Sequence, residues 1–177
     1  MRGKTYATRQ AKKLWEKYAV DPALITKRNL KKIPINLEKV VNDLGVTIIE
    51  HEFSDDISGL FLREDKALYI GVNQGHHDHR KRFTIAHEIG HYILHADNVL
   101  HYDTNSLDSS SVVLFRSEGP RDLNEIEANA FAAEFLMPEP LIKRCIELSI
   151  LSTDRLADVF QVSEAAMRYR LINLGYI

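Results

Sequence analysis

A chain of 177 residues is long enough to bury one proper core and short for more, which predicts one compact domain or one with a small appendage. Apolar residues at 45% and charged residues at 27% describe an ordinary globular protein, and no apolar run approaches the roughly 20 residues of a membrane span. The basic N-terminus is not followed by a signal-type apolar core, and the single cysteine, Cys145, excludes an internal disulfide framework, so a reducing cytoplasm and no membrane are expected.

Charge is unevenly spread. Residues 1–32 hold ten Lys/Arg against Glu16 and Asp21, a local +8, which leaves −10 on the rest to reach the overall −2. A solvated basic helix on an acidic body is the first reading, and nucleic acid or an acidic partner the alternative. From Thr5 to Val20, the residues Ala7, Ala11, Leu14, Trp15, Tyr18 and Ala19 recur at helical spacing, predicting a helix with one buried stripe and its lysines in water. Asp21-Pro22 ends or restarts it. A second helix is expected over 36–44, with Asn36 as cap and Gly45 as stop.

From Val46 the period changes. Segments 46–51, 57–63 and 67–73, separated by Ser-Asp-Asp and Glu-Asp-Lys turns, predict three short strands in an antiparallel meander leading into the next helix. Gly75 to Lys81 holds three histidines and an aspartate. Adjacent side chains diverge and cannot all reach one ion, so a solvated loop capping the next helix is expected there.

That helix carries Arg82-Phe83-Thr84-Ile85-Ala86-His87-Glu88-Ile89-Gly90-His91-Tyr92-Ile93-Leu94-His95, with a His-Glu-x-x-His motif at its centre. Successive helical residues rotate by about 100°, so His87 and His91 lie one turn apart on one face, free to converge on a zinc ion. Glu88 projects to the side of the pair, where its carboxylate is placed to act as general base on the attacking water. The surrounding residues are apolar, as suits a helix buried beneath a cleft. Gly90 costs about 1 kcal/mol relative to alanine inside a helix, which implies that something packs close against it.

A third protein ligand is then needed. His95 lies one turn beyond His91, but three ligands on one straight helix drift around its axis. Asp97 is six residues past His91, a position some zinc peptidases use after a glycine turn; Leu94 stands where that glycine would be. From His101 to Arg121 the chain is polar and serine-rich except for Val112-Val113-Leu114-Phe115, which predicts a flap or substrate-binding loop with a short strand or core plug inside it. His95, His101 and Tyr92 are the candidate donors to the oxyanion of peptide hydrolysis.

The better third ligand is downstream. Asn124-Glu125-Ile126-Glu127-Ala128-Asn129-Ala130-Phe131-Ala132-Ala133-Glu134-Phe135-Leu136-Met137-Pro138 reads as a helix ended by Pro138, with alanines that permit close helix packing. Glu125 and Asn129 stand one turn apart, so the carboxylate can bind zinc while the amide oxygen accepts a hydrogen bond from a ligating histidine's other nitrogen. Glu127 is nearly opposite Glu125 and is the weaker candidate. The competing reading is an acidic first turn favoured by the helix dipole, with Asp122 and Glu125 as a capping box.

In the tail, Leu156 to Leu171 reads as two short amphipathic helices about a turn, with Ser163 as cap. The pattern is helix-turn-helix-like. Arg155, Arg168 and Arg170 are cancelled by Asp154, Asp158 and Glu164, however, whereas phosphate contact needs a positive surplus, so packing on the core or docking a partner is preferred.

The paired motifs at 82–95 and 125–138, with similarity extending from about Leu37 to the C-terminus, resemble the ImmA/IrrE family of zinc-dependent endopeptidases. The resemblance implies a zincin-like, thermolysin-like geometry with His87, His91 and Glu125 on zinc and Glu88 catalytic. It also implies a substrate class, cytoplasmic transcriptional repressors with a helix-turn-helix domain. Phe135 stands where a leucine is usual, which touches no chemistry.

The expectation is therefore an α+β protein: a small three-stranded antiparallel sheet against the His-Glu helix and further helices. Its parts are a basic helical segment over 1–35, a zincin-like peptidase core over 36–150 and a helical tail over 151–177 packed on it. The expected function is zinc-dependent endopeptidase, with Asn129 supporting a ligand. The alternative is a non-hydrolytic regulatory module that binds a repressor or, less favoured, DNA.

Overall fold

The computed structural model describes residues 4–54, 57–64, 67–95, 100–104 and 123–177; within Glu64 and 100–104 only the backbone is considered. Helix α1 (Lys4–Tyr18) buries Ala7, Ala11 and Trp15 and leaves Lys4, Arg9, Lys12, Lys13 and Lys17 in water. Helix α2 (Leu37–Asp43) is capped by the Asn36 side chain, which accepts from the Lys39 N–H at 3.0 Å. It stops at Gly45, whose φ of +69° is a conformation that glycine adopts without a Cβ penalty.

Strands β1 (Val46–His51), β2 (Ile57–Glu64) and β3 (Ala67–Asn73) follow, then α3 (Asp78–Leu94) and β4 (Leu100–Thr104). The α+β class stands, but the sheet differs from the expected meander. It has four strands among the described residues, in the order β1-β3-β2-β4, and β1 runs parallel to β3 while β2 is antiparallel to both β3 and β4. Turn residues fix where a chain reverses but not which neighbour a strand takes. Strand β3, with four buried residues, occupies an interior position between β1 and β2, as expected when burial on both faces decides the order. Strand β4 falls in the stretch expected to be irregular. Leu100-His101-Tyr102-Asp103-Thr104 is a short alternation of apolar and polar residues at the head of a long polar stretch, and its ladder with β2 makes it a strand.

Helices α4 (Leu123–Leu136), α5 (Glu139–Glu147), α6 (Thr153–Phe160) and α7 (Glu164–Leu174) complete the chain. Pro138 does end α4, and it also serves as N-cap of α5, with Pro140 in the first turn where a missing N–H costs nothing. Gln161 turns the chain in the left-handed region between α6 and α7, and the Ser163 hydroxyl accepts from the Ala166 N–H at 3.2 Å as α7 begins.

One buried apolar cluster runs from Ala7 and Trp15 on α1 through Phe61 and Ile70 of the sheet, Ile89 on α3 and Phe131 and Phe135 on α4, to Phe160 and Leu171 in the tail. Helix α4 lies against both α3 and α1, and α3 also packs on β2 and β3. No described helix is long and apolar enough to cross a membrane.

Candidate metal centre

The start of α3 is tied down on three sides. Arg80 Nη2 donates to the Ser58 hydroxyl at 2.9 Å, Lys81 pairs with Glu50 at 2.7 Å, and Arg82 Nη2 donates to the Ile35 carbonyl at 3.0 Å. The helix begins one residue after His77, whose ring nitrogen accepts from the His79 N–H at 3.2 Å, so this histidine-rich segment forms a cap and a first turn. At the end of β3, Asn73 donates to the carbonyls of Phe53, Ser54 and Ile57 and accepts from the Gly75 N–H, ordering the loops on either side of it.

Two glycines set the depth of the helix. A Cβ on Gly90 would lie 3.2 Å from the Ala128 Cα and from the Phe131 ring, so α4 comes against α3 backbone to side chain, as its alanines permit. On the sheet side, a Cβ on Gly59 would overlap the Thr84 methyl, stand 2.9 Å from the Gly71 carbonyl oxygen and reach 3.6 Å from Glu88 Oε1. Neither the β-branched threonine nor the Gly71 backbone can yield easily. Gly59→Ala is therefore expected to cost about 1–3 kcal/mol as an overpacking change and to displace Glu88. Urea denaturation and cleavage assays check it; an unchanged midpoint would show that the sheet and helix are not in this contact.

The close approach of α4 brings one of its carboxylates to the histidine pair. His87 Nε2 and His91 Nε2 face each other at 2.9 Å, and the two Glu125 oxygens lie 3.3 Å from His87 Nε2 and 3.2 Å from His91 Nε2. Ligand atoms of the three residues all fall within 4.8 Å of one another. The histidines are buried and the Glu125 side chain is one-third exposed, which leaves one side of the cluster open to solvent. Asn129, one turn after Glu125, places its side-chain oxygen 3.2 Å from His87 Nδ1. An amide oxygen only accepts, so His87 carries its proton on Nδ1 and presents a lone pair at Nε2. Two imidazole nitrogens and a carboxylate converging in this way form a donor set that suits zinc.

Glu88 is fully buried on the sheet side of α3, beside Gly59. His95, just past the last turn, has its Nδ1 3.1 Å from His91 Nδ1 and its Nε2 3.1 Å from Glu127 Oε2. The half-buried Tyr92 ring is tilted onto Phe61 with centroids 5.5 Å apart. Position 101 lies in β4, opposite Phe61 in the ladder. Asp97, Asp122 and the apolar patch 112–115 lie outside the described residues. Among the described residues the three-ligand cluster is formed by His87, His91 and Glu125, and the histidines of 76–79 form none. Burial pushes the Cys145 thiol up to about 11, so it stays protonated and serves as packing.

Residues 41–172 match the family model described as the IrrE N-terminal-like domain, a peptidase family. The chain belongs to this family. It is 37% identical over 78 residues to the radiation response metalloprotease IrrE of Deinococcus radiodurans, a match covering 44% of this chain and 22% of that protein. It is 28% identical over 120 residues to the metallopeptidase ImmA of Bacillus subtilis, covering 64% of this chain and 63% of the relative. A third relative, the uncharacterized immunity region protein 2 of Bacillus phage phi105, is 25% identical over 109 residues, covering 62% of this chain and 63% of that one. In each case the chain spans less than two-thirds of the relative's length. For an IrrE-like domain with metalloprotease-named relatives, a metal is implied, and the His-His-Glu cluster has the donors for it.

The sequence reading missed the His95–Glu127 contact. Glu127 is two residues from Glu125 and so about 200° around α4, which set it aside as a ligand. A signal was present in His91 and His95, spaced i, i+4 on one face.

Proposed function

We propose that the protein is a zinc-dependent endopeptidase that cuts a cytoplasmic helix-turn-helix repressor, with His87, His91 and Glu125 as the metal ligands. The convergence of these three residues, one from a remote helix, carries the reading, and Glu88, next to His87 in sequence, is fully buried on the same helix. Zinc held there supplies Lewis-acid polarisation of the scissile carbonyl and lowers the pKa of water. Glu88 takes the proton of the attacking water and passes it to the leaving amine. Asn129 holds His87 in the tautomer that binds. Strand β4 closes one end of the described sheet, and its outer backbone edge is where an extended substrate segment adds as a further strand.

The test incubates the purified chain with candidate helix-turn-helix repressors, with and without a chelator. Cleavage that stops on chelation and returns with zinc is expected, and Glu125→Ala should lose both metal and activity. Tight binding without cleavage, at saturating zinc, would instead identify a regulatory docking module.

A further inference from the structure

We infer that His95 and Glu127 form a one-way hydrogen-bond relay that fixes the tautomer of His91 and thereby sets the affinity of the metal site. The inference rests on the metallopeptidase reading above. The chain of contacts is Glu127 Oε2 to His95 Nε2 at 3.1 Å, then His95 Nδ1 to His91 Nδ1 at 3.1 Å, with His91 Nε2 facing His87 and Glu125. Both relay side chains are about nine-tenths buried, at 9% and 10% exposure.

The direction follows from the chemistry of the end group. A carboxylate accepts and does not donate, so His95 carries its proton on Nε2. In the neutral ring its Nδ1 is then an acceptor, and the hydrogen bond to it puts a proton on His91 Nδ1. The lone pair of His91 is thereby placed on Nε2, facing Glu125. Each imidazole of the pair is oriented by an acceptor on its far nitrogen: His87 by an amide, His91 by a histidine that ends on a buried carboxylate.

Backbone geometry makes the relay possible. His95 is the C-cap of α3, with φ −127° and ψ 51°, so it leaves the helix and its ring comes to lie against His91, centroids 5.1 Å apart. With both ring nitrogens engaged, His95 is a positioning residue in this geometry, in place of the oxyanion donor that the sequence offered.

The test compares His95→Asn with His95→Leu. The Oδ1 of asparagine overlays the Nδ1 of histidine and keeps an acceptor for His91; leucine keeps apolar packing and removes it. Zinc dissociation constants from chelator competition should weaken about 10- to 100-fold for His95→Leu, and stay within about threefold of the parent for His95→Asn. Long-range proton–nitrogen correlation spectra of the metal-free chain should show His91 with its proton on Nδ1 in the parent and in His95→Asn, and a tautomer mixture in His95→Leu and Glu127→Leu. A packing role alone predicts the reverse order, with leucine tolerated and asparagine not. That order, or a His91 tautomer indifferent to Glu127, would overturn the relay while leaving the peptidase reading in place. A parent chain with His91 in the stated form that takes up no metal would instead overturn the peptidase reading.

Discussion

Glu88→Gln is expected to retain zinc at the parent stoichiometry and to lose cleavage by roughly two to four orders of magnitude, the range that a positioned general base contributes. The substitution keeps the volume of a side chain that is completely buried beside Gly59 and removes its ability to take a proton. Because Glu88 is not among the three converging ligands, metal content should not change. Metal analysis and cleavage of the same preparation separate the two effects. Cleavage at the parent rate by the glutamine variant would remove Glu88 from the reaction.

The second large effect is on stability. Arg170 on α7 donates from Nη2 to Glu134 on α4 at 2.6 Å and from Nε to the Met137 carbonyl at 2.9 Å, with both side chains nine-tenths buried. Removing one partner of such a pair leaves a buried charge unmatched, at a cost of about 3–5 kcal/mol. Arg170→Met should therefore lower the unfolding free energy by that amount in urea, and the double substitution Arg170→Met with Glu134→Leu should recover most of it. A loss below about 1 kcal/mol for the single variant would mean that the pair does not hold the tail to the core. The contact also withdraws one of the tail's arginines from any phosphate-binding surface, since Arg170 lies inside, joining α7 to the helix that carries Glu125.

These residues also show what a single sequence discloses. Local rules worked where the cause is local: Asn36 and Gly45 bound α2, Ser163 starts α7, and the i, i+4 spacing sets His91 against His87 on one face of α3. The glycine inside α3 announced the close passage of α4 before that neighbour was known. Pairing between distant segments was not legible. The parallel partnership of β1 with β3 and the existence of β4 depend on which backbone edges meet, a choice no alternation pattern encodes. Pro138 ends one helix and starts the next, and the second role depends on the residues of α5 that follow it. The angle of Glu127 around α4 turns it away from the ligand position of Glu125. What matters for that residue is the crossing of α4 over α3, which carries it to His95 at the end of the helix.

The central claim is that a carboxylate from α4 joins two histidines of α3 to hold one metal ion. Anomalous scattering from zinc-loaded crystals of the parent protein tests it most directly. The account predicts one strong peak within about 2.0–2.2 Å of His87 Nε2, His91 Nε2 and a Glu125 oxygen, with the remaining position open to solvent. A peak held by other residues, or a fully loaded site in which Glu125 turns away and no acid or imidazole replaces it, would contradict it.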